Sequence, residues 1–141
     1  MTRVDFYTGS ADKLRTACQL SHKAMQSGLH VVISLPVALC DALDKLLWQY
    51  PDTAFIPHSL SRDEEAGQVP VVLDCGDEAF PYFDMLISLH DECKPFFSRF
   101  LRVAEIVGTD ERDSQLGRER FKFYRDRGYE LRHFDLNRNQ P

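Results

Sequence analysis

The sequence has no glycine-rich phosphate loop: neither G-x-G-x-x-G nor G-x-x-x-x-G-K-[ST] occurs, and the next glycine after Gly9 is Gly28. A nucleotide gripped by backbone amides after the first strand is therefore not expected. No C-x-x-C pair occurs either. Cys18, Cys40, Cys75 and Cys93 stand 22, 35 and 18 residues apart, a spacing that predicts no zinc site. No apolar run approaches the ~18 residues of a membrane span, and the opening "MTRVDFYTGSADKL" has no apolar core behind basic residues. Together these absences predict a cytoplasmic protein with no membrane anchor, metal or cofactor, its thiols reduced.

What is present is an ordinary globular composition, 43% hydrophobic and 28% charged, with seven Gly and seven Pro. At 141 residues the chain fits a single domain, 1–141, and can bury roughly two thirds of the surface its unfolded form exposes. The net charge of -5 is unevenly spread. Residues 1–98 carry 7 basic and 14 acidic side chains, whereas residues 99–141 carry 10 and 8. That asymmetry points to a local anion-binding surface, not to a protein coated in positive charge for nucleic acid.

Patterning predicts strands alternating with helices. "VDFY" (Val4–Tyr7) is a short apolar and aromatic run. Ser10 or Asp12 can cap a helix reaching about Ser27, with Leu14, Ala17, Cys18, Ser21 and Met25 on one face. "HVVISL" (His30–Leu35) reads as a strand covered on both faces. Pro36 then opens a helix with Val37, Cys40, Leu43, Leu47 and Tyr50 at helical spacing. Further strands are expected at Ala54–Pro57, Val69–Asp74, Met85–Leu89 and Arg102–Gly108. A last helix runs from about Thr109 to Arg127, followed by the half-buried edge strand "YELRHF". The fold class that follows is α/β: an open, mainly parallel sheet with helices on both faces.

One cluster looks catalytic. His90, Asp91 and Cys93 in "SLHDEC" unite a base, an acid and a thiol, but adjacent residues usually point apart, and a surface His and Asp capping the helix of "ECKPFF" is the better account of them. The lone Trp48 is open to two readings, a core side chain or an exposed apolar patch.

The strongest feature is a basic stretch in an acidic chain, with six Lys or Arg between Arg112 and Arg127. Helical spacing puts Leu116, Arg120 and Phe123 on one side, and Arg118, Phe121, Lys122 and Arg125 on another. The second face suits an anionic ligand that also brings an apolar group, because a guanidinium grips a carboxylate bidentately while a ring packs beside it. A solvated helix whose Arg stems cover apolar surface is the plainer alternative.

Several patches together carry a family resemblance: "DFY" (Asp5–Tyr7), "LW" (Leu47–Trp48), "FIPHSL" (Phe55–Leu60), "PV" (Pro70–Val71), "LISL" (Leu86–Leu89) and "QLGRERFKFYRDRGYEL" (Gln115–Leu131). In these the chain resembles the chi subunits of the bacterial DNA polymerase III clamp-loader complex. The resemblance implies a noncatalytic adaptor with a Rossmann-like fold and no nucleotide, bound to DNA only indirectly. It implies that the acidic C-terminal tail of single-stranded DNA-binding protein, ending in Pro-Phe, docks on Arg118, Phe121, Lys122, Val107 and Leu116. A basic position of the family is Ser114 here, and Arg112 or Arg125 stands near enough in sequence to replace it. The second implied partner is the psi subunit, docked on Trp48, Phe55 and Pro57 with His58 beside them, a surface for which a helicase competes. A rival reading is a direct single-strand binder whose Phe121, Phe123 and Tyr124 stack bases; another is a hydrolase or transferase using His90 and Cys93.

Overall fold

The computed structural model describes residues 2–49 and 56–139. In chain order these form β1 (Arg3–Ser10), α1 (Lys13–Gln26), β2 (Val31–Ser34), α2 (Val37–Gln49), β3 (His58–Leu60), β4 (Val71–Asp74), β5 (Met85–Ser88), β6 (Arg102–Gly108), α3 (Glu111–Asp126) and β7 (Glu130–Asp135). Short 3₁₀ turns occupy Glu64–Gln68, Pro95–Arg99 and Leu136–Asn139. Among the described residues the strands make one seven-stranded sheet in the order β3-β4-β2-β5-β6-β1-β7. Every strand pair is parallel, so the fold is the open α/β arrangement expected from the alternating pattern.

Side chains alternate across the sheet and build two cores. Val31, Ile33, Val71, Leu73, Ile87 and Ile106 pack beneath α1 and α2. Val4, Phe6, Val32, Leu86, Val103 and Val107 pack on the other side, against Tyr124 of α3 and Phe96, Phe97 and Phe100. Central strands β2, β4 and β5 are buried along their whole length, as their continuous apolar runs require. Asp12 caps α1, its side chain accepting from the Arg15 N–H. The buried face of α1 is Thr16, Ala17, Cys18, Ser21 and Ala24, with Leu14 and Met25 only half-buried.

Several expectations need correction. The strand expected at Ala54–Pro57 is instead β3, His58–Leu60; Pro57 has no N–H to give a ladder, so pairing starts after it. Ala54 and Phe55 lie outside the described residues, as does Tyr50. The helix expected at "ECKPFF" is only a 3₁₀ turn, Pro95–Arg99, which begins after Lys94 without a side-chain cap. The thiols are not all reduced. Cys40 in α2 and Cys75 just past β4 form a disulfide, with Cα atoms 6.2 Å apart, while Cys18 and Cys93 are free. Sequence spacing concealed this pair because the parallel β2–β4 pairing brings the following segments together at one end of the sheet.

The inward face of α3 also differs from the expectation. Asp113, Gly117, Arg120 and Tyr124 are buried, whereas Leu116 and Phe123 are half-buried flanks. Arg120 is 4% exposed; its Nε donates to Glu105 Oε1 at 2.9 Å and its Nη1 to the Asp91 carbonyl at 2.9 Å. Tyr124 Oη donates to Glu105 Oε2 at 2.6 Å. Burial pushes the Glu105 carboxyl up to about 7, against the pull of the Arg120 charge and both hydrogen bonds.

Two predictions follow from these tertiary links. Arg120→Met should cost about 3–5 kcal/mol in urea unfolding at about pH 8, where the carboxylate would be buried unpaired. The loss should shrink at about pH 5, where Glu105 is protonated with or without Arg120, and adding Glu105→Gln should recover much of it. A cost below about 1 kcal/mol at both pH values would mean that the pair does not hold α3 in place. Reducing the Cys40–Cys75 bond, or Cys75→Ser, should remove about 3–4 kcal/mol, given a closed loop of 35 residues. Scanning calorimetry should record this as a fall in Tm on the order of 10 °C.

Candidate functional site

The basic helix gains its position before it gains its chemistry. Asp110 caps α3 by accepting from the Asp113 N–H at 2.8 Å, and Asp113 reaches back to accept from the Gly108 N–H at the end of β6. Lys13 Nζ of α1 donates to the same carboxylate at 3.1 Å. Burial pushes the Asp113 carboxyl up, but the Gly108 and Lys13 contacts outweigh it and hold the group below the ordinary carboxylate range. Gly117 then lets α3 lie close on β6, since a Cβ there would stand 2.7 Å from a Val107 methyl.

A pocket of about 390 Å³ opens between α3 and the edge strand β7, over the carboxyl ends of β1 and β6. Its lining includes Phe6, Val107 and Phe121 below, Ser114, Gly117 and Arg118 from α3, and Thr8, His133 and Asn137 opposite. Here β1 sends its helix to one face of the sheet and β6 sends its own to the other, which is where open parallel sheets leave a crevice. Phe121 packs edge-on against Phe6, ring centroids 5.2 Å apart. Arg118 is exposed, its Nη2 donating to Gln115 Oε1 at 2.8 Å. The far wall is tied together by Thr8 Oγ1 and His133 Nε2, 2.7 Å apart. An apolar floor with a guanidinium at its rim can hold a carboxylate that terminates an apolar side chain.

Of the residues singled out on the sequence, Val107, Ser114, Arg118 and Phe121 meet in this pocket. Leu116, Lys122 and Arg125 are not among those lining it. Lys122 is exposed, and Arg125 is paired with Asp126 at 3.3 Å. Arg112 is paired with Asp91 at 3.0 Å, turned to another neighbour and not to the gap left by Ser114. The far wall, Thr8, His133 and Asn137, escaped the sequence reading. Only the parallel pairing of β7 with β1 brings those residues opposite α3, and a helical wheel carries no signal of it.

The Trp48 surface lies at the other edge of the sheet. Trp48 is 54% exposed, which decides between the two readings of it. His58 is buried beneath, ring centroids 4.5 Å apart, with Nδ1 2.8 Å from the Ile56 carbonyl and Nε2 2.9 Å from Asp44. Both residues border a broad hollow of about 530 Å³ between α2, β3 and the end of β4. Pro57 is half-buried, and Phe55 lies outside the described residues.

The members of the His90 cluster turn to different partners. His90 Nε2 faces Ser34 Oγ at 2.8 Å, and Ser34 Oγ donates to Asp74 at 3.2 Å. Burial, with Lys94 nearby, lowers the His90 pKa. Burial also pushes the Cys93 thiol up to about 11, with Glu105 adding to the rise, which leaves little thiolate for nucleophilic chemistry at neutral pH. Among the described residues no three His, Cys, Asp or Glu side chains gather as a metal site, and no helix is long and apolar enough to cross a membrane.

Comparison with known proteins agrees across the chain. The family model described as DNA polymerase III chi subunit, HolC, matches residues 1–132. DNA polymerase III subunit chi of Pseudomonas aeruginosa is 41% identical over 143 residues, covering 98% of this chain and 99% of that protein. The Escherichia coli subunit chi is 31% identical over 121 residues, covering 81% and 79%. That of Haemophilus influenzae is 33% identical over 119 residues, covering 82% and 81%. With an open parallel fold and matches of this extent, the chain belongs to the family of DNA polymerase III chi subunits.

Proposed function

We propose that the protein is a noncatalytic, cytoplasmic adaptor of the replicative polymerase, joining the clamp loader to single-stranded DNA-binding protein during DNA replication. The observation that carries this reading is the pocket beside α3: Phe6, Val107 and Phe121 line it, Arg118 stands at its rim, and the chain around it has a net charge of -5. A peptide ending in an apolar residue with a free carboxylate satisfies both halves, the ring entering between Phe121 and Val107 while Arg118 takes the carboxylate. Lys122 and Arg125, exposed on α3, attract the acidic residues upstream, with Leu116 along the same helix. DNA itself would be repelled by the acidic remainder of the chain.

The second partner is the psi subunit, or a helicase competing with it. An exposed Trp backed by His58, with Phe55 and Pro57 adjoining in sequence, supplies the aromatic anchor that protein interfaces favour. Direct stacking of bases on α3 has less support: Tyr124 is fully buried, and Phe123 lies beneath the Arg127 guanidinium, 3.5 Å from ring centroid.

Fluorescence anisotropy with a labelled acidic peptide ending in Asp-Pro-Phe tests the pocket. Arg118→Ala, and separately amidation of the peptide's terminal carboxylate, should each cost about 1.5–3 kcal/mol, roughly ten- to a hundredfold in affinity. Binding unaltered by both changes would place the tail elsewhere and remove the ground for the reading.

A further inference from the structure

The hollow beside Trp48 is strongly acidic. Among the described residues, Asp41, Asp44, Asp63, Glu65 and Asp77 line it, against one Lys or Arg, Arg62. Asp44 is engaged with His58, and Asp63 accepts from the Leu60 N–H at 3.2 Å. Asp41, Glu65 and Asp77 are exposed on three separate segments that converge on this hollow. Two apolar side chains stand among them, Trp48 at 54% and Val37 at 75% exposure. An apolar anchor framed by carboxylates from α2, the Glu64–Gln68 turn and the loop after β4 selects for charge as well as for shape.

We infer that the segment of the psi subunit that docks on Trp48 is cationic, with Lys or Arg side chains flanking an apolar anchor and facing Asp41, Glu65 and Asp77. This rests on the reading of the Trp48 surface as the psi site. It adds a reason for selectivity. The acidic peptide suited to Arg118 is repelled at Trp48, and a basic segment suited to Trp48 is repelled at Arg118, so the two ligands cannot exchange places. Exposed carboxylates around an anchor act chiefly on association, steering a cationic partner in, while the anchor governs how slowly it leaves.

The test uses the whole protein and a purified psi subunit, with association and dissociation rates measured by surface plasmon resonance between about 50 and about 500 mM NaCl. The variants are Trp48→Ala and the triple change Asp41→Asn, Glu65→Gln, Asp77→Asn, each checked for native circular dichroism. The triple variant should associate roughly tenfold more slowly at low salt and lose most of the salt dependence, with dissociation little changed. Trp48→Ala should chiefly speed dissociation, roughly tenfold or more. If Trp48→Ala weakens binding while the triple variant and salt leave the association rate unmoved, the psi site stands and its cationic partner segment is overturned. If Trp48→Ala changes nothing, the psi site itself is misplaced and the inference falls with it.

Discussion

A buried charge beneath α3 governs the geometry of the rest. Glu105 sits fully enclosed on β6, and among the described residues Arg120 and Tyr124, both on α3, meet its two oxygens. An ion pair in such a place is poor as a source of net stability, because desolvation consumes most of the attraction. Its value lies in uniqueness. Successive helical residues are about 100° apart, so any other rotation of α3 would leave a carboxylate without its partners. Once Arg120 and Tyr124 point inward, Arg118 and Phe121 are left bordering the crevice toward β7, and Gly117 sets its depth by letting the helix rest on Val107.

The two candidate sites sit at opposite edges of the sheet. One belongs to β6, β1 and β7 with α3, the other to β3 and β4 with α2. Seven strands at about 4.8 Å spacing span roughly 29 Å, far enough for two macromolecules to be held without collision. It is also far beyond the Debye length of about 8 Å at physiological salt, so each surface keeps its own sign. The Cys40–Cys75 bond braces the Trp48 edge, tying α2 to the end of β4 where a three-residue β3 offers little pairing of its own.

Much of this was legible in residue order. Continuous β-branched runs announced the buried strands, and Asp12 announced the start of α1. Motif spacing pointed to the family. Helical periodicity misjudged α3, however, because the buried Arg120 counts as polar on any wheel, while the half-buried Phe123 counts as core. Pro57 displaced a strand for a reason visible in the residue itself, its missing N–H.

The sequence by itself determined the alternation of strands and helices, the local surplus of positive charge on α3 and the family, since each is written in neighbouring residues and their periodicity. Only the tertiary structure decided which face of α3 turns inward, that His133 and Thr8 wall the pocket, that Cys40 meets Cys75, and that five carboxylates line the hollow that Trp48 borders. The physical reason is common to all four. They depend on contacts between segments remote in the chain, made by the order of strands in a parallel sheet, and that order is chosen by global packing and the burial of one charged pair, not by local pattern.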